Sequence, residues 1–132
     1  MKFLTLESGQ LGALIDNTVV DIPAAAESLS ATCPAKTLQM LVEAGHVEAD
    51  HAWALALHAC ELGIAARAYA DVKPGAPLPE PRRNILCLGT TYLDTAREVA
   101  RMWVVSGVAP AQPVFFRKGA TALVGPGAPV AG

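Results

Sequence analysis

The chain has 132 residues, of which 52% are apolar and 17% are charged, and its formal net charge at pH 7 is −2. This length suits one domain, or a small domain and part of another. With so few charges, the chain has more apolar surface than a small domain easily covers, which favours an oligomer or a missing partner.

The two halves of the chain differ in charge. Residues 1–80 carry ten acidic and four basic side chains, whereas residues 81–132 carry two acidic and six basic ones. The basic half suits an anionic small molecule or an acidic protein surface. Its basic residues lack interleaved aromatic residues, which argues against a nucleic-acid groove.

The three cysteines, Cys33, Cys60 and Cys87, are far apart and show no metal-ligand spacing. Their odd number argues against a disulfide framework and predicts buried free thiols in a reducing compartment. The first residues, MKFLTLESG, contain no apolar signal region, and no run of about 18 apolar residues exists. We therefore expect a cytoplasmic chain without a membrane segment.

The chain is predicted to begin with a small antiparallel sheet. Residues 2–7 alternate as a strand does and precede a turn at Ser8-Gly9. Residues 11–15 and 18–22 flank Asp16-Asn17, a pair that tolerates positive φ in a hairpin turn.

Two helices are predicted next. The first would be capped by Thr32, with Pro34 in its first turn and Gly45 just past its end. Its apolar face would contain Leu38, Leu41 and Val42. The second is expected over residues 48–62, with an apolar side formed by Trp53, Leu57, Cys60 and Ile64.

Two histidines, His51 and His58, lie seven residues apart on this second predicted helix. That spacing separates them too far along the helix axis to chelate one ion easily. They are predicted to be partly exposed helix residues and not metal ligands.

Residues 71–83 (DVKPGAPLPEPRR) contain four prolines and a glycine, which predicts a linker. It divides an N-terminal α+β domain, residues 1–70, from residues 84–132, the incomplete start of a mostly β domain. Beyond the linker we expect a buried strand over residues 85–88 and a helix over residues 95–105. Two further strands are predicted over residues 114–117 and 122–124.

Lys118 differs from the other basic residues of the second half, because it follows the apolar run PVFF and precedes Gly119. This places it at the end of a strand, where a point charge could bind a carboxylate. Arg97 and Arg101 are four residues apart on a predicted helix, which favours a solvated basic face.

Two stretches of the second half resemble the fumarylacetoacetate hydrolase family, in particular its short members that act on 2-oxo acids. RRNILCLGTTYLDTARE (residues 82–98) resembles that family's strand and lid motif, G-x-N-Y-x-x-H-x-x-E. PVFFRKGATALVGPGAPV (residues 113–130) resembles its strand–loop–strand with a lysine and an LVGPG turn. Residues 1–70 look like the variable N-terminal domain of many members.

The resemblance assigns roles residue by residue. Gly89, Tyr92 and Glu98 match the lid motif, while Thr91 and Thr95 stand where the family has asparagine and histidine. It implies catalytic positions at Glu98, Lys118 and Thr95, and substrate contacts from Tyr92, Arg117 and Lys118. A threonine cannot replace an imidazole as general base near neutral pH.

The resemblance also implies a magnesium or manganese ion, held in the complete family fold by a Glu-x-Glu pair and an aspartate downstream of the LVGPG turn. The acidic residues after residue 80 are Asp94 and Glu98 alone. Hard cations need several oxygen ligands. We therefore expect no metal site in this chain.

The resemblance implies the N-terminal portion of an enzyme acting on 2-oxo or β-diketo acids by C–C hydrolysis, decarboxylation or isomerisation, inactive alone. A complementary C-terminal or homologous subunit would then supply the metal. The alternative is a non-catalytic pseudoenzyme that packs against an active homologue or against itself. The expected fold is α+β: a small N-terminal antiparallel sheet with two helices, then the first strands of a mostly β catalytic domain.

Overall fold

The computed structural model describes residues 1–89, 91–103 and 112–129, without the side chains of Val99, Met102 and Trp103. The chain divides into two units. The first consists of Met1–Pro79 together with Leu123–Gly132, and the second is Glu80–Ala122.

The first unit is built on a four-stranded antiparallel sheet. The strands are β1 (Phe3–Thr5), β2 (Leu11–Ile15), β3 (Thr18–Asp21) and β4 (Ala66–Ala68), in the order β1-β2-β3-β4. The predicted hairpin is confirmed, because β2 and β3 pair in register around Asp16, whose φ is 49°. β4 was not predicted, since its three residues carry no local strand pattern.

Three helices pack on this sheet: α1 (Ile22–Ser28), α2 (Leu38–Ala44) and α3 (His46–Glu61). α1 was not predicted, because the second strand of the hairpin was expected to extend to Ile22, where α1 begins. The backbone N–H of Ala24 donates to Asp21 Oδ1 over 3.1 Å, which caps this short helix. The predicted sheet with two helices therefore gains a third helix.

The predicted cap of α2 at Thr32 is wrong. Thr37 caps the helix, because its Oγ1 accepts the backbone N–H of Met40 over 3.2 Å. The residues before it cannot be helical, since the Lys36 carbonyl accepts the N–H of Leu11 over 2.9 Å and Ala35 is buried. Val42, expected on the apolar face of this helix, is 67% exposed.

The side of α3 that faces the core carries small residues, namely Ala52, Ala56 and Ala59. All three are fully buried among the residues of the core, which include Leu11, Val20 and Ile22. The predicted apolar side was wrong at Leu57, which is 41% exposed. Trp53 is half-buried and contacts Phe3 edge to face, with ring centroids 5.8 Å apart. Small side chains allow α3 to approach the sheet closely, and large ones lie at the margins.

The described residues of the second unit include two paired strands and an α-helix. β5 (Ile85–Gly89) and β6 (Val114–Lys118) are antiparallel, and α4 (Leu93–Trp103) lies between them in the chain. The predicted end of this helix at residue 105 lies outside the described residues. β5 is not buried as predicted, because Leu86 and Leu88 are 64% and 52% exposed.

The strand predicted over residues 122–124 is also wrong. A short 3-10 helix, Ala120–Ala122, follows β6. Further along the chain is a turn that contains Gly127, whose φ is 75°. The architecture is α+β, as the sequence predicts. No helix among the described residues is long and apolar enough to cross a membrane.

Candidate functional site

The register of β5 and β6 determines which residues share a face of this two-stranded sheet. Lys118 pairs with Ile85, and Phe116 pairs with Cys87. Since side chains alternate along a strand, Lys118 and Phe116 lie on one face. Arg117 therefore lies on the other face, opposite Leu86.

Lys118 is the last residue of β6, which agrees with its predicted position at a strand end. Its side chain is exposed, and its Nζ lies 6.0 Å from the centroid of the Phe116 ring. The ammonium group thus lies at the edge of cation–π range of one aromatic ring and is exposed to solvent. A cation in this setting can bind a carboxylate or an enolate oxygen.

The lid residues extend from Tyr92, which immediately precedes α4, to Glu98 in the middle of that helix. The carbonyl of Tyr92 accepts the backbone N–H of Ala96 over 3.0 Å, and the side chain of Tyr92 is 75% exposed. Ala96, in the first turns of the helix, is buried, with 4% of its surface exposed. Thr95 and Glu98 are three residues apart and both exposed, so they are neighbours on the helix surface.

The charged residues beside the lid residues form a local ion pair. Arg97 Nη1 lies 3.3 Å from Asp94 Oδ1, and both side chains are largely exposed. Arg101 is also exposed, which agrees with the solvated basic face predicted for it and Arg97. An exposed pair of this kind stabilises the helix only slightly. Because these side chains are open to solvent, we do not assign an anion-binding site to them.

No group of three or more histidine, cysteine or acidic residues that could hold a metal ion occurs in the described part of the chain. His51 and His58 are exposed on α3, as predicted, and His51 Nδ1 lies 3.6 Å from Glu48 Oε2. The three cysteines are free thiols, also as predicted. They are half-buried and not fully buried as the sequence suggested.

Among the depressions of the first unit, two are lined by residues other than the predicted site residues. One, of about 300 Å³, is lined by Leu6, Glu7, Ser8, Arg67, Asp71, Val72 and Lys73. The other, of about 390 Å³, is lined by Gln10, Pro23, Ala26, Glu27, Ala31, Cys33 and Lys36. Neither includes a residue of the lid or of β6, so neither serves as the predicted site.

The structure therefore brings Thr95 and Glu98 together on one helix and separates Lys118 from Arg117. The sequence contained the signal for that separation, because adjacent residues of any strand point to opposite faces. The same rule predicts that Lys118 and Phe116, two residues apart on β6, lie on the same face of the sheet.

No family model matches the chain. It is similar to the oxaloacetate tautomerase YisK of Bacillus subtilis (strain 168), with 31% identity over 137 aligned residues that cover 96% of this chain and 44% of that protein. It is also similar to a crystal structure of a candidate HpcE protein from Mycobacterium smegmatis. The TM-score is 0.62 and the identity 26%, over 96% of this chain and 38% of that one.

The two comparisons support a relationship to the fumarylacetoacetate hydrolase family. They extend over nearly the whole chain, so the relationship includes the α+β first unit and not the motifs alone. The chain spans less than half the length of each relative.

Proposed function

We propose that the chain is part of a fumarylacetoacetate hydrolase family protein that interconverts the keto and enol forms of a 2-oxo acid. The observation that carries this proposal is the 31% identity to an oxaloacetate tautomerase over 96% of the chain. Among the hydrolysis, decarboxylation and isomerisation that the family resemblance implies, this similarity favours isomerisation.

Tautomerisation makes smaller demands on the site than hydrolysis does. A proton leaves the carbon next to the 2-oxo group and a proton is added to the oxygen, so no water is activated and no C–C bond breaks. The histidine that would activate water is replaced by Thr95 at the corresponding position. A threonine hydroxyl can still donate a hydrogen bond that orients a neighbouring group.

We assign the anionic part of the substrate to Lys118. Its ammonium is exposed at the end of β6, where it can neutralise a carboxylate or the developing enolate oxygen. Glu98 is the carboxylate proposed to carry the proton, with Thr95 one helical turn before it as a hydrogen-bonding partner. Tyr92 is proposed to contact the substrate from the start of α4.

Arg117 was expected to share the substrate with Lys118, but the two lie on opposite faces of the sheet. One small carboxylate cannot readily reach both side chains across the strand. We therefore retain Lys118 as the contact and use Arg117 as its matched control.

The family resemblance implies a divalent cation that would polarise the 2-oxo group. The described residues do not fit such an ion, because Asp94 is paired with Arg97 and no cluster of carboxylates is present among them. We therefore propose that this chain alone binds the 2-oxo acid without turning it over. A complementary or homologous subunit is proposed to provide the remaining groups.

A second candidate function, that of a non-catalytic interaction subunit, is favoured by the face of the sheet that carries Leu86, Leu88 and Phe115. These side chains are 64%, 52% and 58% exposed. A two-stranded sheet is marginal by itself and usually needs a third strand or a packed layer. The proposed partner is a second copy of the chain or a complementary family subunit.

Titration calorimetry with oxalate, a planar dianion that resembles the enolate of a 2-oxo acid, tests the assignment. Saturable binding should be observed for the chain, and Lys118→Met should weaken it about tenfold or more, as expected when a charge-assisted hydrogen bond is lost. Arg117→Met should leave the affinity unchanged. Absence of saturable binding, or equal losses in both variants, would remove the catalytic proposal and leave the interaction subunit.

A further inference from the structure

Residues 73–77, in the proline-rich segment, lie along β1 as an additional edge element. The backbone N–H of Glu7 donates to the carbonyl of Lys73 over 3.1 Å. The N–H of Gly75 donates to the carbonyl of Thr5 over 2.8 Å. Since β1 ends the strand order of the first sheet, this segment covers an edge that would otherwise be open.

Side chains strengthen the same contact. Thr5 Oγ1 donates to the carbonyl of Pro77 over 2.7 Å, and Thr5 is only 3% exposed. Lys73 Nζ lies 2.7 Å from Glu7 Oε1, with both side chains largely exposed. Two backbone bonds, one partly buried hydroxyl bond and one exposed ion pair thus hold residues 73–77.

The segment is also contacted by the LVGPG turn, through Gly125. A Cβ on Gly125 would lie 3.2 Å from the backbone N of Ala76 and 3.2 Å from the carbonyl carbon of Gly75. Gly75 is similarly restricted on the side of β1, where a Cβ would lie 3.1 Å from the Leu6 carbonyl oxygen. Two glycines therefore let three backbone segments stack closely.

These contacts join two chain segments that flank the second unit. The second unit, Glu80–Ala122, begins shortly after residue 77 and ends shortly before Gly125. The stretch that leads into this unit and the stretch that leads out of it therefore meet at residues 74–76 of the first unit.

We propose that residues 73–77 form a clamp. When the clamp is closed, the segment that leads into the second unit and the segment that leads out of it are both held beside β1. The clamp opens as a unit while the β1-β2-β3-β4 sheet stays folded. Few bonds hold it and its ion pair is exposed, so local opening requires less free energy than global unfolding. This inference does not depend on the chemistry proposed for Lys118 and Glu98.

Amide hydrogen exchange, followed by NMR on the 132-residue chain, tests the clamp through two variants. Gly125→Ala adds a Cβ against the clamp backbone, and Thr5→Val removes the hydroxyl bond to Pro77 with little change in shape. Exchange at the Gly75 and Glu7 amides should become about five- to thirtyfold faster in each variant. The Asp21 amide, which donates to the Ala65 carbonyl next to the β3–β4 pair, should not change.

Two controls make the result specific. Gly119→Ala places a Cβ no closer than 3.6 Å to its nearest neighbour, so it should leave the Gly75 amide protected. Thr5→Ser keeps a hydroxyl and should retain most of the protection that Thr5→Val loses. The clamp proposal is overturned if Asp21 accelerates together with Gly75, if Gly119→Ala has the same effect, or if Gly125→Ala leaves Gly75 unchanged.

Discussion

Lys118 and Ile85 lie directly opposite each other in the antiparallel pair of β5 and β6. This register places one basic side chain on each face of the small sheet. One carries the Lys118 ammonium near the Phe116 ring, and the other carries exposed aliphatic and aromatic side chains beside Arg117. The proposed ligand contact and the proposed subunit contact can therefore be tested separately by substitutions at adjacent residues of β6.

The replacement of the family histidine by Thr95 predicts that the chain does not hydrolyse acylpyruvates. Thr95→His should not restore hydrolysis by itself, since a general base has little effect without a bound and polarised substrate. Acylpyruvate cleavage should be measured for both proteins, with and without Mg²⁺. Metal-dependent cleavage by the unaltered chain, or turnover by the single variant, would contradict the two-subunit proposal.

The small residues on the buried side of α3 predict a strong response to added volume. Ala56→Leu should reduce the free energy of unfolding by about 1–3 kcal/mol, because Ala56 is fully buried and the core is overpacked by three extra carbon atoms. Ala54→Leu, on the exposed side of the same helix, should change it by less than about 0.5 kcal/mol. Urea unfolding monitored by circular dichroism gives both values, and equal effects would show that α3 packs differently.

Thr37 caps α2, whereas the sequence predicted Thr32 as the cap. Thr37→Ala should lower the free energy of unfolding by about 0.5–2 kcal/mol, since Oγ1 of Thr37 accepts the N–H of Met40. Thr32→Ala should have little effect, because Thr32 is exposed and does not cap the helix. The same urea unfolding assay applies, and a larger loss from Thr32→Ala would restore the predicted cap.

This pair of threonines illustrates what local sequence can and cannot determine. The hairpin around Asp16 was predictable because turn chemistry and strand alternation are both local. The beginning of α2 was not, because the hydrogen bond from Leu11 to Lys36 comes from a strand far away in the chain. At the site, the strand-end position of Lys118 followed from neighbouring residues. The exposure of Leu86 and Leu88 did not, because burial depends on what packs against the strand.

The ion pair of the clamp predicts a dependence on alkaline pH. The hydrogen bond to Glu7, and next the negative charge of that carboxylate, raise the pKa of Lys73 above its ordinary value of 10.5. A raised pKa stabilises the folded state below pH 10.5, and this stabilisation is lost as the pH rises through the folded-state pKa. The difference in stability between the unaltered chain and Lys73→Met should therefore be constant from neutral pH up to pH 10.5 and shrink above it. Denaturant unfolding across this range measures the difference, and one that grows with pH would contradict the assignment.

The exposed face of β5 and β6 predicts that the chain associates with itself. Leu86, Leu88 and Phe115 together leave an apolar surface on a two-stranded sheet, which soluble proteins usually cover. Light scattering at micromolar concentration and moderate salt should show the chain as an oligomer, and Phe115→Lys should shift it towards the monomer. Val42→Lys, which changes a similarly exposed aliphatic residue of α2, should leave the oligomeric state unchanged. A monodisperse 13.7 kDa species with a cooperative thermal transition would show that the chain needs no partner for this face.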